Sequence, residues 1–390
     1  MRVLGFMTGT SLDAVDMAVL ETDGEQILGF GPAGEKKLDP VVRRAVEQAI
    51  TAGREWPGGA AAPPAFARAA RMVAEEHLAA AAELFADHGL DAADLDLASV
   101  HGQTVLHAAP GHGRTVGRTV QLIETRLVAE GLGLPVAFDF RSADVAAGGQ
   151  GAPLAPVYHR ALVRWSKLQT PVAVLNLGGV GNVTLVDAEG AMTAFDTGPA
   201  NGMIDLMVQD RTGMRCDEDG RLARAGRVDE AVLAGYLADP YFAARGPKSL
   251  DRFDFSLAPV ASLSTTDAAA TLTAFAARAV AWSFAAMATA PLRIIVCGGG
   301  RLNPCLMEAI QARTAMAVQA AECVGWRGDS IEAEAFAYLA ARTLNELPIS
   351  FPGTTGVPEP MCGGTLLWPT ADGAGGNPLR DGHSRGLRGV

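Results

Sequence analysis

The chain has 390 residues, 49% of them apolar and 19% charged, with a net charge of −11. That length suits two domains or one large one with a sizeable core. An acidic balance without any basic block argues against nucleic acid and anionic membrane surfaces as partners.

The five cysteines (Cys216, Cys297, Cys305, Cys323, Cys362) form no CxxC pair and are odd in number. They read as small buried residues in a reducing compartment, not as a disulfide framework or a zinc site. The opening residues lack a charged n-region with a long apolar stretch after it. No uninterrupted apolar run approaches bilayer length. The expectation is a cytoplasmic protein.

Residues 2–7, 15–21 and 25–31 predict three strands in a meander. Gly29-Phe30-Gly31-Pro32-Ala33-Gly34 matches GxGxxG by spacing, but Pro32 and the Glu-Lys-Lys that follows deny it the helix opening of a dinucleotide site. Residues 40–51 predict a short helix with Val42, Val46, Ala49 and Ile50 on one face. A longer helix follows over 64–88, opened by Pro63-Pro64 and closed by Gly89. A buried strand at 95–100 runs into His101-Gly102-Gln103-Thr104. Residues 109–118 read as a loop or hairpin, and 121–131 as a helix.

Residues 135–140 predict a strand that delivers Asp139, Arg141 and Asp144 into a glycine-rich loop. The domain switch is placed near residue 135. A second set then begins: a strand at 172–177, a turn at 178–181, a strand at 182–186, and Asp196 to Gly202 opening a helix. The strand–turn–strand pattern of the N-terminus thus recurs, which suggests two related halves. Helices are predicted over 228–238 and 266–290, with a strand at 293–296 between them and the end of the chain. Asn303-Pro304 reads as N-cap and first residue of a helix. The last helix is predicted over 331–346, and residues beyond about 370 are expected to lack fixed structure.

Four glycine-flanked sites follow strands: 8–16, 176–182, 196–202 and 298–303. Each alone is an ordinary tight turn. Together they are the set a nucleotide needs, because backbone N–H groups in a tight turn bind phosphate and glycine allows close approach. Asp144 reads either as a general base or as a turn cap. Asp13 is open in the same way between metal contact and capping. His101 reads as a satisfied structural histidine or a substrate hydrogen bond, not a metal ligand. Glu332 and Glu334 stand two apart on the last helix and so do not share a face.

The motifs Met7 to Asp16, His101 to Thr104, Asp139-Phe140-Arg141 with Asp144, Gly148 to Leu154, Asn176 to Gly179, Asp196 to Asn201 and Cys297 to Gly300 resemble the bacterial anhydro-N-acetylmuramic acid kinases, in order and spacing, from about residue 3 to about 346. The resemblance implies an α/β fold of two ribonuclease-H-like domains, the actin-like ATPase arrangement, with ATP in the cleft. Residues 1–135 would form the N-terminal domain, joined by the last helix, and 136–330 the C-terminal one. It implies that 1,6-anhydro-N-acetylmuramic acid from cell-wall turnover is hydrolysed at its bridge and phosphorylated on O6, with Asp144 as the base that activates water. ATP would be held by Gly9, Thr10, Ser11, Leu12, Asp13, Ala14, Val15 and Asp16. Asn176, Gly178, Gly179, Asp196, Gly198, Gly298, Gly299 and Gly300 would complete that site. His101, Arg141, Gln150 and Glu332 would hold the sugar, and Asp13 the Mg2+. A homodimer is implied by the resemblance alone.

Thr8 and Ala14 stand where the family more often has serine and glycine. Ile123-Glu124-Thr125-Arg126 replaces a smaller, glycine-rich stretch and bears on the sugar accepted. The alternatives are a kinase of the same fold acting on another amino or anhydro sugar, and a silent sensor of ATP and sugar.

Overall fold

The computed structural model describes residues 1–9, 11–58, 61–109, 117–244, 247–250 and 254–370. In the first half the chain runs β1 (Arg2–Thr8), β2 (Ala14–Thr22), β3 (Ile27–Lys37), α1 (Pro40–Glu55), α2 (Pro64–His88), β4 (Leu97–Val100), β5 (Gln103–Ala108), β6 (Arg118–Leu122), α3 (Thr125–Leu132), β7 (Val136–Phe138), α4 (Ser142–Ala146) and α5 (Pro156–Trp165). In the second half it runs β8 (Val172–Leu177), β9 (Val180–Val186), β10 (Met192–Pro199), α6 (Asn201–Thr212), α7 (Arg221–Ala225), α8 (Glu230–Leu237), α9 (Pro240–Ala243), α10 (Thr265–Ala285), β11 (Arg293–Cys297), α11 (Pro304–Thr314), β12 (Ala317–Ala320), α12 (Ile331–Leu344) and β13 (Thr365–Leu367).

The expected echo is present in the topology. One sheet has the order β13-β7-β4-β1-β2-β3 and the other β10-β9-β8-β11-β12. In each, an antiparallel meander leads off, and its first strand then pairs in parallel with a later strand: β1 with β4, β8 with β11. These are two α/β units with the ribonuclease-H-like strand order.

Strand periodicity sorts the core into layers. Leu4, Phe6 and Ala98 face Val42, Val46, Val73 and Val128 of α1, α2 and α3. Their neighbours Val3 and Leu97 face the opposite way, towards Tyr158, Leu162 and the buried side of α12. Val172, Val174 and Ile295 of the second sheet join that same cluster. Ala173, Leu175 and Ile294 face α10 and α11. Helices α5 and α12 are therefore the shared layer between the two sheets. The last helix meets β1 at Gly5, where a Cβ would lie 2.0 Å from the Ala333 carbonyl oxygen.

Several expectations hold closely. α2 spans the predicted residues and ends on Gly89 at φ 61°. The Asn303 side chain accepts from Leu306 N, with Pro304 in the first helical position. The GxGxxG match lies inside β3, which excludes a helix opening there.

Others are corrected. The predicted helix over 121–131 starts only at Thr125, because Arg118–Leu122 pairs with β5. Asp144 sits on the short helix α4, not in a loop. Helix α5 had no counterpart in the sequence reading. Past the switch placed near residue 135, the first sheet continues through β7 and takes its edge from β13. Glu334 is fully buried: it pairs with Arg327 Nε at 2.6 Å and accepts from the Tyr158 hydroxyl at 2.5 Å. Glu332 is the exposed member of that pair.

Helix α10 is long and apolar enough by composition to cross a membrane, with a mean hydropathy of 1.2, yet 72% of that stretch is buried inside the protein. It is the core helix of the second unit. The tail expected to lack structure, residues 371–390, lies outside the described residues.

Candidate active site

Beyond the carboxyl ends of β1, β4 and β7 in one sheet and of β8 and β11 in the other, Asp16, Arg141, Asn176 and Cys297 all interact with Glu332 at the start of α12, and His101 with Arg141. This is where α/β folds bind ligands. The first contribution is the β1–β2 turn. Thr8 is paired with Val15 and Met7 with Asp16. Leu12 takes φ 57° and its N–H donates to the Gly9 carbonyl at 3.2 Å. Thr10 lies outside the described residues. Thr8 is turned into the core, 3.4 Å from His77 Nε2. The other ring nitrogen of His77 donates to the Val73 carbonyl, and burial holds its pKa down at about 4, so a neutral imidazole receives the Thr8 hydroxyl. Thr8 thus stiffens the turn from behind.

Asp13 forms an exposed ion pair with Arg43 at 3.3 Å. Asp16 behaves differently. Burial, reinforced by Glu332, Glu35, Asp329 and Asp13, pushes its pKa up to about 7. Between about pH 4 and pH 7 the folded chain therefore keeps a proton that the unfolded chain has lost, and stability falls as pH rises through that window. Asp16→Asn removes this penalty. The variant is expected to be more stable than the parent at about pH 8, by an amount on the order of a few kcal/mol, and no more stable at about pH 4. Denaturant melts at both pH values check this, and equal gains at both would refute it.

The second unit brings its three glycine sites into one knot. Ala200 N and Gly202 N donate to the Gly179 carbonyl, and Asn201 N donates to that of Gly178. A Cβ at Gly202 would lie 2.8 Å from the Gly179 oxygen, one at Gly298 (φ +74°) 2.2 Å from Asn176 Oδ1, and one at Gly300 2.4 Å from Leu177 Cβ. Glycine is required at these positions for backbone packing. Over Gly179, by contrast, no described atom lies within 4 Å of the Cβ position. At the end of β10 the register slips between Asp196 and Gly198. Asp196 Oδ2 accepts from Leu250 N at 2.8 Å. Burial raises its pKa to about 7, against the pull of that bond, Arg141 and Lys248.

The third contribution follows β7. Asp144 is 1% exposed. Its Oδ1 accepts from Gly151 N at 2.6 Å and its Oδ2 from the Thr355 hydroxyl at 2.5 Å. A Cβ on Gly149 would fall 2.2 Å from Oδ1, so that glycine makes room for the carboxylate. Arg141 donates from Nε to His101 Nε2 at 2.9 Å and from Nη1 to the Gly151 carbonyl at 2.5 Å. His101 in turn donates from Nδ1 to the Gly102 carbonyl at 2.7 Å. Burial and the Arg141 charge hold its pKa well below the usual range. Both ring nitrogens are thus committed, and His101 acts by fixing Arg141. Burial lowers the Arg141 pKa to about 10, with Glu332, Asp144 and Asp196 opposing, so it stays charged at neutral pH. Gln150 Oε1 accepts from the Ser249 hydroxyl at 3.3 Å.

Glu332, in the first turn of α12, joins the three parts. Asn176 Nδ2 donates to its Oε1 at 3.2 Å. Enclosure between the lobes raises its pKa, and Arg141 and Asn176 pull it back. The side chain remains exposed, so water screens much of this. The segment before α12 is pinned by Arg301, which donates to both Asp329 oxygens at 2.8 and 2.6 Å and to Glu322 at 2.8 Å. Arg301, His77 and Thr355 are the residues that sequence reasoning missed. Arg301 directly follows the Gly298–Gly300 run, which was the available signal for it.

Among the described residues no three His, Cys, Asp or Glu side chains converge to hold a metal ion alone. Of the departures from the family pattern, Ile123 packs beside Gly102, while Arg126 donates to the Trp368 carbonyl at 3.2 Å.

The sequence profile of the family Anhydro-N-acetylmuramic acid kinase matches residues 1–369. A protein of that name from Caulobacter vibrioides is 62% identical over 367 residues, covering 94% of this chain and 99% of that protein. One from Phenylobacterium zucineum is 59% identical over 369 residues, covering 95% and 100%. One from Rhizobium rhizogenes is 48% identical, covering 93% and 98%.

Proposed function

The chain belongs to the anhydro-N-acetylmuramic acid kinase family, and from that premise we propose that it opens the 1,6-anhydro bridge of 1,6-anhydro-N-acetylmuramic acid with water and transfers the γ-phosphoryl group of ATP to O6. The products are N-acetylmuramic acid 6-phosphate and ADP. The observation that carries this reading is the buried Asp144 carboxylate beside the fixed Arg141 charge, which also interacts with Glu332 and Asp196 from the other parts of the site.

Asp144 takes a proton from the water that attacks C1. The bond from C1 to O6 breaks, and O6 becomes the nucleophile toward the γ-phosphorus. Such a coupled step asks the protein for positioning and electrostatics more than for covalent chemistry. Arg141 supplies positive charge beside the reacting groups, held in place by His101 and the Gly151 carbonyl. The Gly9–Asp16 turn and the Gly178–Gly179 and Gly298–Gly300 loops offer backbone to the phosphates and the adenosine. Glu332 and Gln150 stand on the sugar side.

The residues present fit a divalent cation. Burial and the carboxylates of Glu332, Glu35, Asp329 and Asp13 all raise the pKa of Asp16, a surrounding that a bound cation would relieve. Asp13, already paired with Arg43, is the lesser contributor. Mg2+ would neutralise phosphate charge there, held largely by the nucleotide itself.

Incubation with ATP, Mg2+ and the anhydro sugar is expected to yield ADP and the 6-phosphate in equal amounts. ADP from N-acetylglucosamine but none from the anhydro sugar would overturn the substrate. Binding of both ligands without ADP would overturn the kinase.

A further inference from the structure

The Asp144 carboxylate is gripped by donors from two distant parts of the chain. One is local, Gly151 N to Oδ1. The other is the hydroxyl of Thr355, fully buried and 211 positions away. Thr355 also controls the first donor, since its carbonyl accepts from Gln150 N at 2.7 Å and so pins the loop that carries Gly151.

Thr355 is itself fixed by a short turn. Thr354 N and Thr355 N donate to the Phe351 carbonyl at 3.0 and 3.1 Å, and Phe351 N donates to Thr354 Oγ1 at 3.3 Å. That turn is clasped to the second sheet: Ala194 N donates to the Gly353 carbonyl at 2.8 Å, and a Cβ on residue 353 would lie 2.2 Å from the Met192 oxygen. The same strand, β10, carries Asp196 at its end. Beyond the turn the chain crosses back, and β13 pairs with β7, the strand from which the Asp144 loop departs. The segment from Phe351 to Leu367 therefore straps the two sheets together, with Thr355 near its start touching the base.

We infer that Thr355 is a positioning residue for the reaction: its hydroxyl sets the rotation of the Asp144 carboxylate relative to the second unit, so that the lone pairs left free face the attacking water. The inference rests on the reading of Asp144 as the base. A carboxylate has about four acceptor directions. Two are taken by Gly151 and Thr355, and which two is decided by where the strap holds the hydroxyl. No proton or bond changes hands at Thr355.

Thr355→Val keeps the shape and removes the hydroxyl, and Thr355→Ser keeps the hydroxyl and removes the methyl group. The expected result is a kcat lowered on the order of 10²-fold in Thr355→Val, as for other misplacements of a reacting group, with KM for ATP and for the anhydro sugar unchanged. Thr355→Ser is expected to recover most of the rate. Thr355→Ala, which adds no bulk, serves where the valine variant fails to fold, with nucleotide binding as the check on integrity. Equal loss in the serine and valine variants would overturn the proposal, because packing and not the hydroxyl would then matter. Wild-type kcat in Thr355→Val alongside an inactive Asp144→Asn would overturn it while sparing the base. Wild-type turnover in Asp144→Asn would remove the base reading and this inference with it.

Discussion

Asp144→Asn is expected to lower turnover by on the order of 10²–10⁴-fold, the range a positioned general base contributes, while ATP still binds. Asparagine has nearly the same shape, so the α4 turn and the Gly149 contact survive. The Thr355 hydroxyl can rotate to accept from the new amide nitrogen, because a hydroxyl both donates and accepts. Gly151 N still finds a carbonyl oxygen at the position of Oδ1. What is lost is the capacity to take a proton from water. Measuring ADP release beside equilibrium nucleotide binding separates the two properties. Turnover like that of the parent would remove Asp144 from the role.

Gly5→Ala is expected to destabilise the fold by about 3 kcal/mol or more, the upper range for overpacking a dense interior. The added carbon would lie 2.0 Å from the Ala333 oxygen, 2.8 Å from Ala337 N and 2.9 Å from Ala337 Cβ. Two of these atoms are helix backbone, which has no rotamer by which to retreat. β1 is the central strand of its sheet, held by β2 on one side and β4 on the other, so it cannot yield either. Only separation of α12 from the sheet relieves the clash, and α12 carries Glu332 at its start. The variant should therefore lose nucleotide-dependent stabilisation together with its melting midpoint. A denaturant midpoint unchanged from the parent would refute the close packing.

The linkage at Asp16 and the strap at Thr355 show two further ways in which the site draws on residues far from it in sequence. For Asp16 the pH window follows first from burial and then from nearby carboxylates, among them Glu332 and Asp329 at the other end of the chain. For Asp144 the partner lies past Pro348, where the composition shifts to glycine and proline and periodicity offers no guidance. The family profile runs through that segment to residue 369.

The sequence by itself determined what is local. Short apolar runs marked the strands, Gly89 and Asn303-Pro304 marked helix ends, and the glycine-flanked turns marked where backbone would be offered to a ligand. Each depends on a few neighbouring residues, so each is written in a few letters. The long motifs then identified the family. Only the tertiary structure decided that α5 and α12 form the layer shared by both sheets. It turned Glu332 to Asn176 and buried Glu334 against Arg327. It committed His101 to Arg141 and Asp13 to Arg43. It placed the Thr355 hydroxyl on Asp144. The physical reason is the same in each case. A side chain's partner is set by which distant backbone packs beside it, and that is fixed by burying two apolar sheet faces against one pair of helices, a condition no local stretch of sequence contains.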